Sequence, residues 1–189
     1  PYIPGTTRKA SVKLPATFTA FDTAASATGY DGIGIRVCGK IVGIDLDHCI
    51  VEDKLLPWAQ AIVDRFDATY IEISPSGTGI RIFCLLPDDF AYDTKTYYIK
   101  KGDIEVYIPG HTNRFLTVTG NALTTADVVE TPEALVWLLD TYMRRPSPTS
   151  FAAAAPGKSY LSDEAVIAKA FAAKNGEKFR RLWNGDTTD

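Results

Sequence analysis

The sequence predicts an α/β fold, in which hairpin-connected strands are flanked by helices. Short β-branched runs bounded by Gly, Pro and Asn supply the strands, and segments with apolar positions at helical spacing supply the helices. At 189 residues the chain can bury one domain of ordinary size, or one domain with an appended helical piece. A hydrophobic content of 46% with 11% aromatics is globular, so disorder is not expected across most of it.

Residues 1–20 are polar and irregular, with Pro1, Pro4, Gly5 and Pro15 opposing regular structure. A short helix is expected over 21–27, with Asp22 at its start and Gly29 beyond its end. Ile33 to Val37 and Ile41 to Leu46 read as two strands of a tight hairpin around Cys38-Gly39-Lys40. A helix follows over 53–66, with Leu55, Leu56, Ala59, Ile62, Val63 and Phe66 on one face and Pro57 in its first turn. Strands are then expected over 69–74 and 80–86, joined by the turn 75–79, and over 96–99, 103–108 and 114–119. A helix over 132–144 has Thr131 as its cap, Pro132 at its first position, and Leu135, Leu138, Leu139 and Tyr142 along one face.

Pro, Ser and an alanine run make residues 146–158 an expected linker between a domain at 1–145 and a helical region at 159–189. Ser162-Asp163-Glu164 opens a helical pattern that Asn175-Gly176 interrupts, and Phe179 and Trp183 continue it. That piece is too small to bury its own apolar face, and is expected to begin a larger, truncated helical region, with a clasp on the main domain as the alternative. No internal repeat is visible.

A net charge of −3 is unlike that of a general nucleic-acid coat protein, so any nucleic-acid contact is expected to be local. Cys38, Cys49 and Cys84 are too dispersed for a paired-cysteine zinc motif and odd in number for a secreted disulfide framework, and are expected to be buried thiols. With no apolar span of ~20 residues and no basic-then-apolar leader, a soluble cytoplasmic protein is expected.

The chemistry is concentrated between Ile41 and Gly120. Alternate residues of a strand face the same way, so Asp45 and Asp47, ending the apolar run Val42-Gly43-Ile44, aim two carboxylates at one point. Paired carboxylates repel unless a cation neutralises them, which points to Mg²⁺ or Mn²⁺; an exposed strand end is the plain alternative. Glu105, between Ile104 and Val106-Tyr107, is a carboxylate on an otherwise apolar strand, calling for a cation or a donor; a salt bridge to Arg114 would suffice. The turn Ser76-Gly77-Thr78-Gly79 offers backbone N–H groups to an anion, and Arg81 beyond it offers a guanidinium; a simple hairpin turn is the alternative. It is no Walker loop, since the turn carries no Gly-Lys-Ser/Thr and a strand follows it. His48 and His111 are further candidates for metal or phosphate contact, each with a structural or exposed alternative.

Ile44-Asp45-Leu46-Asp47-His48-Cys49, Ser74-Pro75-Ser76-Gly77-Thr78-Gly79-Ile80-Arg81, Ile104-Glu105-Val106-Tyr107 and Arg114-Phe115-Leu116-Thr117-Val118-Thr119-Gly120 resemble, in order and spacing, the motifs of archaeo-eukaryotic primase-polymerases, closest to the group carried by phages, plasmids and other mobile elements. The resemblance covers roughly residues 1–145. It implies an RRM-like antiparallel sheet with an N-terminal αβ portion and a C-terminal helical extension. It also implies template-directed primer synthesis or extension, with Asp45, Asp47 and Glu105 as catalytic ligands of two divalent cations, Mg²⁺ or Mn²⁺. Ser76, Gly77, Gly79, Arg81, Arg114 and His111 would seat the nucleotide, dNTP or NTP. Arg81 stands where the family has a histidine, keeping a phosphate-binding cation and removing a titratable group. Single-stranded or primed DNA would be the template, contacted by Arg8, Lys9, Arg36, Lys95, Lys100 and Lys101, unless these are solvated surface charges. Such domains often precede a helical region and a helicase, and the bacterial host cytoplasm would be the site of action.

The competing readings are an RRM-like replication or initiator domain that binds nucleotide or DNA without polymerising, an Asp-x-Asp glycosyltransferase, and a metal-dependent nuclease. The glycosyltransferase lacks the larger nucleotide-binding domain it would need, and a nuclease would betray itself by strand cleavage.

Overall fold

The computed structural model describes residues 1–146 and 162–186. The chain divides into two units, Pro1–Arg145 and Pro146–Asp189. The linker expected over 146–158 lies outside the described residues except for Pro146.

The first unit is mixed α/β. Its main sheet is antiparallel and five-stranded: β5 (Tyr70–Ile73), β6 (Ile80–Leu85), β2 (Ile41–Leu46), β8 (Ile104–Tyr107) and β7 (Lys100–Lys101), in that spatial order. β1 (Ile33–Arg36) and β9 (Phe115–Val118) pair antiparallel in a separate ribbon, and β3 (Ile50–Val51) and β4 (Lys54–Leu55) form a third. Val42, Ile44 and Leu46 of the central strand alternate onto one face, where they share a core with Ile80, Ile82, Ile104 and Val106. Helices α2 (Pro57–Arg65) and α3 (Pro132–Leu138) join the same core through Ala59 and Ile62, and through Leu135 and Leu138. Each fully buried aliphatic side chain there contributes about 1.5–3 kcal/mol.

The opposite face carries a smaller core of Val37, Phe83, Tyr107 and Leu116. Gly43 leaves room for it. A Cβ at Gly43 would lie 2.5 Å from Leu116 Cδ1, so a side chain at this position of β2 would make Leu116 of the β1–β9 ribbon shift.

Several expected boundaries shift for identifiable reasons. The hairpin expected between β1 and β2 does not form: β2 is bonded to β6 on one edge and β8 on the other, leaving no edge for β1, which pairs with β9. Cys38-Gly39-Lys40 instead turns the chain from one sheet into the other, with Ile41 N–H donating to Cys38 O at 3.1 Å. The helix expected over 53–66 begins only at Pro57, because Leu56 is extended, as residues before proline are. Glu52 and Asp53 adopt left-handed backbone angles in the β3–β4 turn. Residues 96–99 form no strand; Tyr97 makes only an isolated bridge with Arg144, and the edge strand is Lys100–Lys101. The helix expected over 132–144 is α-helical through Leu138 and then widens into a π turn over Leu139–Met143, and Thr131 makes no side-chain capping bond. The first helix, α1 (Phe21–Ala25), is shorter than expected. Of the cysteines, Cys49 and Cys84 are buried, but Cys38 is exposed.

In the second unit, α4 (Asp163–Ala172) starts where Ser162 Oγ accepts from Ala165 N–H at 3.3 Å. It is followed by α5 (Gly176–Trp183), and Phe171, Phe179 and Trp183 form an aromatic cluster joining the two helices. Among the described residues no helix is long and apolar enough to cross a membrane.

Candidate metal and nucleotide site

The strand registers align five charged residues in one row across the whole main sheet. Glu72 on β5 opposes Arg81 on β6, Arg81 opposes Asp45 on β2, Asp45 opposes Glu105 on β8, and Glu105 opposes Lys100 on β7. Directly opposed residues share a face, so the row lies beside Phe83 and Tyr107, on the face away from α2 and α3. A parallel row two residues along, Tyr70, Phe83, Gly43 and Tyr107, forms its apolar floor.

Asp45 and Glu105 are like charges in direct register, an arrangement that is destabilising without counter-charges. Two cations supply them. Arg81 Nε donates to Asp45 Oδ1 at 3.2 Å, and Lys100 Nζ donates to Glu105 Oε1 while standing 3.8 Å from Asp47 Oδ2. Tyr107 Oη also donates to Glu105. Four carboxylates, Glu72, Asp45, Asp47 and Glu105, therefore face the two cations Arg81 and Lys100, leaving negative charge in excess. Arg114 approaches from outside, its guanidinium 5.9 Å from the Tyr107 ring centre.

The electrostatics push the opposed carboxyls apart. Burial raises the Asp45 pKa, Arg81 counteracts this, and the charges of Asp47 and Glu105 raise it further, so it stands above the ordinary aspartate value. Burial acts the same way on Glu105, but hydrogen bonds from Lys100 and Tyr107 outweigh it and hold that carboxyl below its ordinary value. The Tyr107 hydroxyl is pushed up by burial and by Glu105, so it keeps its proton and donates.

Among the described residues, no three His, Cys, Asp or Glu side chains stand close enough to grip an ion as they are placed. The donor set itself fits a hard divalent cation, being three carboxylates at one end of two adjacent strands. Closing it on an ion requires Lys100 to release Glu105 and Asp47.

The Ser76 to Gly79 turn lies at the same end of the sheet. A Cβ on Gly79 would stand 2.6 Å from the carbonyl oxygen of Leu46, the residue between Asp45 and Asp47. Its donors are turned inward: Gly77 N–H bonds Ser74 O at 2.9 Å and Thr78 N–H bonds Ser76 Oγ at 3.3 Å, while the hydroxyls of Ser74, Ser76 and Thr78 form a chain. Arg81 is likewise committed, since its Nη1 donates to Thr117 O at 2.6 Å and Thr117 Oγ1 at 2.7 Å, tying β6 to β9. His48 is exposed in a left-handed turn and bonds Asp103 at 3.1 Å. Glu105 pairs with Lys100 and not with Arg114, the partner its plain alternative reading offered, and His111 rests edge-on against Tyr92, its ring centre 5.0 Å away. Arg36 Nε donates to Val12 O at 3.2 Å, fastening the N-terminal arm, and Lys101 lies 6.0 Å from the Tyr98 ring centre.

Sequence reasoning missed Glu72. It is fully buried, and its carboxylate accepts from Thr119 N–H and Gly120 N–H, each at 3.0 Å, and from Tyr70 Oη at 2.9 Å. The signal was available, because Tyr70-Ile71-Glu72-Ile73 sets a carboxylate on an apolar strand just as Ile104-Glu105-Val106-Tyr107 does. The same argument that singled out Glu105 selects Glu72.

No protein-family model matches the chain, and no match is found among curated proteins.

Proposed function

We propose that the chain is a primase-polymerase domain that transfers nucleotides to a growing strand on a DNA template. The observation that carries this reading is the charged row across the main sheet, which sets Asp45 opposite Glu105 with Asp47 beyond and an excess of negative charge. The five-stranded antiparallel sheet with two helices on one face supports the finer, RRM-like primase reading.

Bound to Asp45, Asp47 and Glu105, two divalent cations would activate a primer 3′-hydroxyl and neutralise the triphosphate. The chain's own residues prepare the place. Arg81 fixes the Asp45 carboxylate, Tyr107 keeps Glu105 ionised, and Lys100 balances Glu105 and Asp47 in the absence of metal. Once displaced, Lys100 would be available to a phosphate chain, as would the exposed Arg114 beside Tyr107.

The test is nucleotide incorporation on single-stranded and primed DNA, with Mg²⁺ or Mn²⁺ and separate dNTP and NTP pools. Metal-dependent products absent from a folded Asp45→Ala/Asp47→Ala variant are expected. Equal incorporation by that variant would sink the proposal. A second reading, a domain that binds nucleotide or DNA without polymerising, is favoured by the commitment of Arg81 to Asp45 and Thr117. Triphosphate binding without turnover on a primed template would select it.

A further inference from the structure

We propose that the cleft between the N-terminal arm and the β1–β9 ribbon seats the unpaired bases of a single nucleic-acid strand. This rests on the nucleic-acid reading above and adds a second site to it.

The cleft encloses about 1170 Å³, and its walls include Tyr2, Phe18, Tyr30 and Phe115, together with Arg8 and Thr117. Tyr2 is 51% exposed, Phe115 39% and Tyr30 37%, so three rings face water in one depression. Exposed apolar area gathered in a concave site marks a binding surface more often than scattered single residues do. The walls are built and not loose. Tyr30 Oη donates to Thr6 O at 2.8 Å and accepts from Thr6 N–H at 3.1 Å, and Arg36 Nε holds Val12 O. Phe115 lies against Gly34, where a Cβ would stand 3.3 Å from the ring.

Charge and size choose the occupant. Residues 1–36 carry Arg8, Lys9, Lys13 and Arg36 against Asp22 and Asp31, a net of +2, although the whole chain is −3. On the cleft wall itself Arg8 stands with Asp31, so the net positive charge that would draw a polyanion lies on the adjoining arm, at Lys9 and Lys13. A free triphosphate would find one basic side chain on the cleft wall, Arg8, and one carboxylate, Asp31. The volume also exceeds the roughly 300–1,000 Å³ of ordinary small-ligand pockets. A strand presents a ring to every aromatic wall and spreads its charge along the arm, which is how single strands are held without reading sequence. The cleft also leads to the acidic row, since its wall residue Thr117 accepts from Arg81, and Arg81 donates to Asp45.

The test is fluorescence anisotropy of a labelled oligo-dT strand titrated with the full chain in chelator, without nucleotide, so that the result is independent of polymerisation. Tyr2→Ala and Phe115→Ala are each expected to weaken binding roughly 5- to 150-fold, the span of about 1–3 kcal/mol per stacked base. Tyr2→Phe and Phe115→Tyr, which keep the rings, should bind within a few-fold of wild type. Alanine variants that bind like wild type, duplex bound as tightly as single strand, or no strand binding by the wild-type chain would each overturn the proposal. Incorporation measured separately decides the polymerase reading, so the two can fail independently.

Discussion

Truncating Glu72 should loosen the joint between the main sheet and the β1–β9 ribbon. Its carboxylate is fully buried and accepts from three donors, the N–H groups of Thr119 and Gly120 and the Tyr70 hydroxyl. Hydrogen bonds to a charged acceptor are worth about 1.5–3 kcal/mol each, so the three together set an upper bound of roughly 9 kcal/mol. Thr119 and Gly120 are exposed residues, however, and water can reach their N–H groups once the side chain is gone. That places Glu72→Ala at about 3 kcal/mol of lost stability, close to the lower end for removing one partner of a buried charged cluster. Glu72→Gln keeps the shape and one acceptor oxygen and should lose about half as much. Urea unfolding followed by tryptophan fluorescence and far-ultraviolet circular dichroism measures both, and thermal midpoints should fall by roughly 6–12 °C for Glu72→Ala. A Glu72→Ala variant within about 0.5 kcal/mol of wild type, the range of an ordinary surface change, would refute the assignment of Glu72 as the joint.

Gly79→Ala should destabilise the chain by at least about 1–3 kcal/mol, because its Cβ would press on the Leu46 carbonyl, a backbone atom that cannot swing aside; a wild-type urea midpoint would contradict this. Lys100→Gln removes the cation resting on Glu105 and Asp47 and should tighten Mn²⁺ binding several-fold, read by electron paramagnetic resonance; unchanged or weaker binding would show that Lys100 does not compete with metal. The Asp45 pKa is raised, so the folded chain holds a proton there where the unfolded chain does not, and the contribution of this group to stability falls as pH rises above about 4. Asp45→Asn should therefore be at least as stable as wild type at pH 7 in chelator and lose that advantage near pH 4, and a lower midpoint at pH 7 would reverse the sign. Glu105 is lowered, so its contribution is present at neutral pH and lost as pH falls through its depressed value; Glu105→Gln should be destabilised at pH 7, with the deficit shrinking in acid.

Strands whose alternation was strong stood where the residues put them: β2 matches its expected range, and β5, β6, β8 and β9 fall within theirs. The misplaced pairing of β1 shows what local pattern leaves open. Cys38-Gly39-Lys40 is a sound turn signal, and the chain does turn there, but a turn between two strands says nothing about which edge is vacant. Occupancy of both β2 edges is decided by β6 and β8, residues about 40 to 60 positions away, through the core that Ile82 and Val106 build with Ile44. Residues 96–99 fail for the opposite reason. Their apolar and aromatic character is met by packing against the end of the α3 segment, where Tyr98 N–H bonds Met143 O at 2.8 Å, and no full ladder is needed.

The candidate site was legible in its acids and illegible in its counter-charges. Asp45, Asp47 and Glu105 each announce themselves as carboxylates set among apolar neighbours, a property of adjacent residues alone. Which cation answers which acid depends on register, and register is a property of pairs of strands. Thus Arg81, expected to wait for phosphate, is the direct cross-strand neighbour of Asp45, and Lys100, expected to touch template, is that of Glu105. A one-residue slip of β6 or β7 would turn either side chain to the other face and leave a partly buried carboxylate uncompensated. Ile80 and Ile82, which alternate with Arg81, hold β6 against that slip by filling the helix-side core, and Ile104 and Val106 likewise hold Glu105 of β8 on the opposite face. The core therefore does more than stabilise the sheet: by fixing register it determines which charges meet, and so where negative charge is left over for a cation to find.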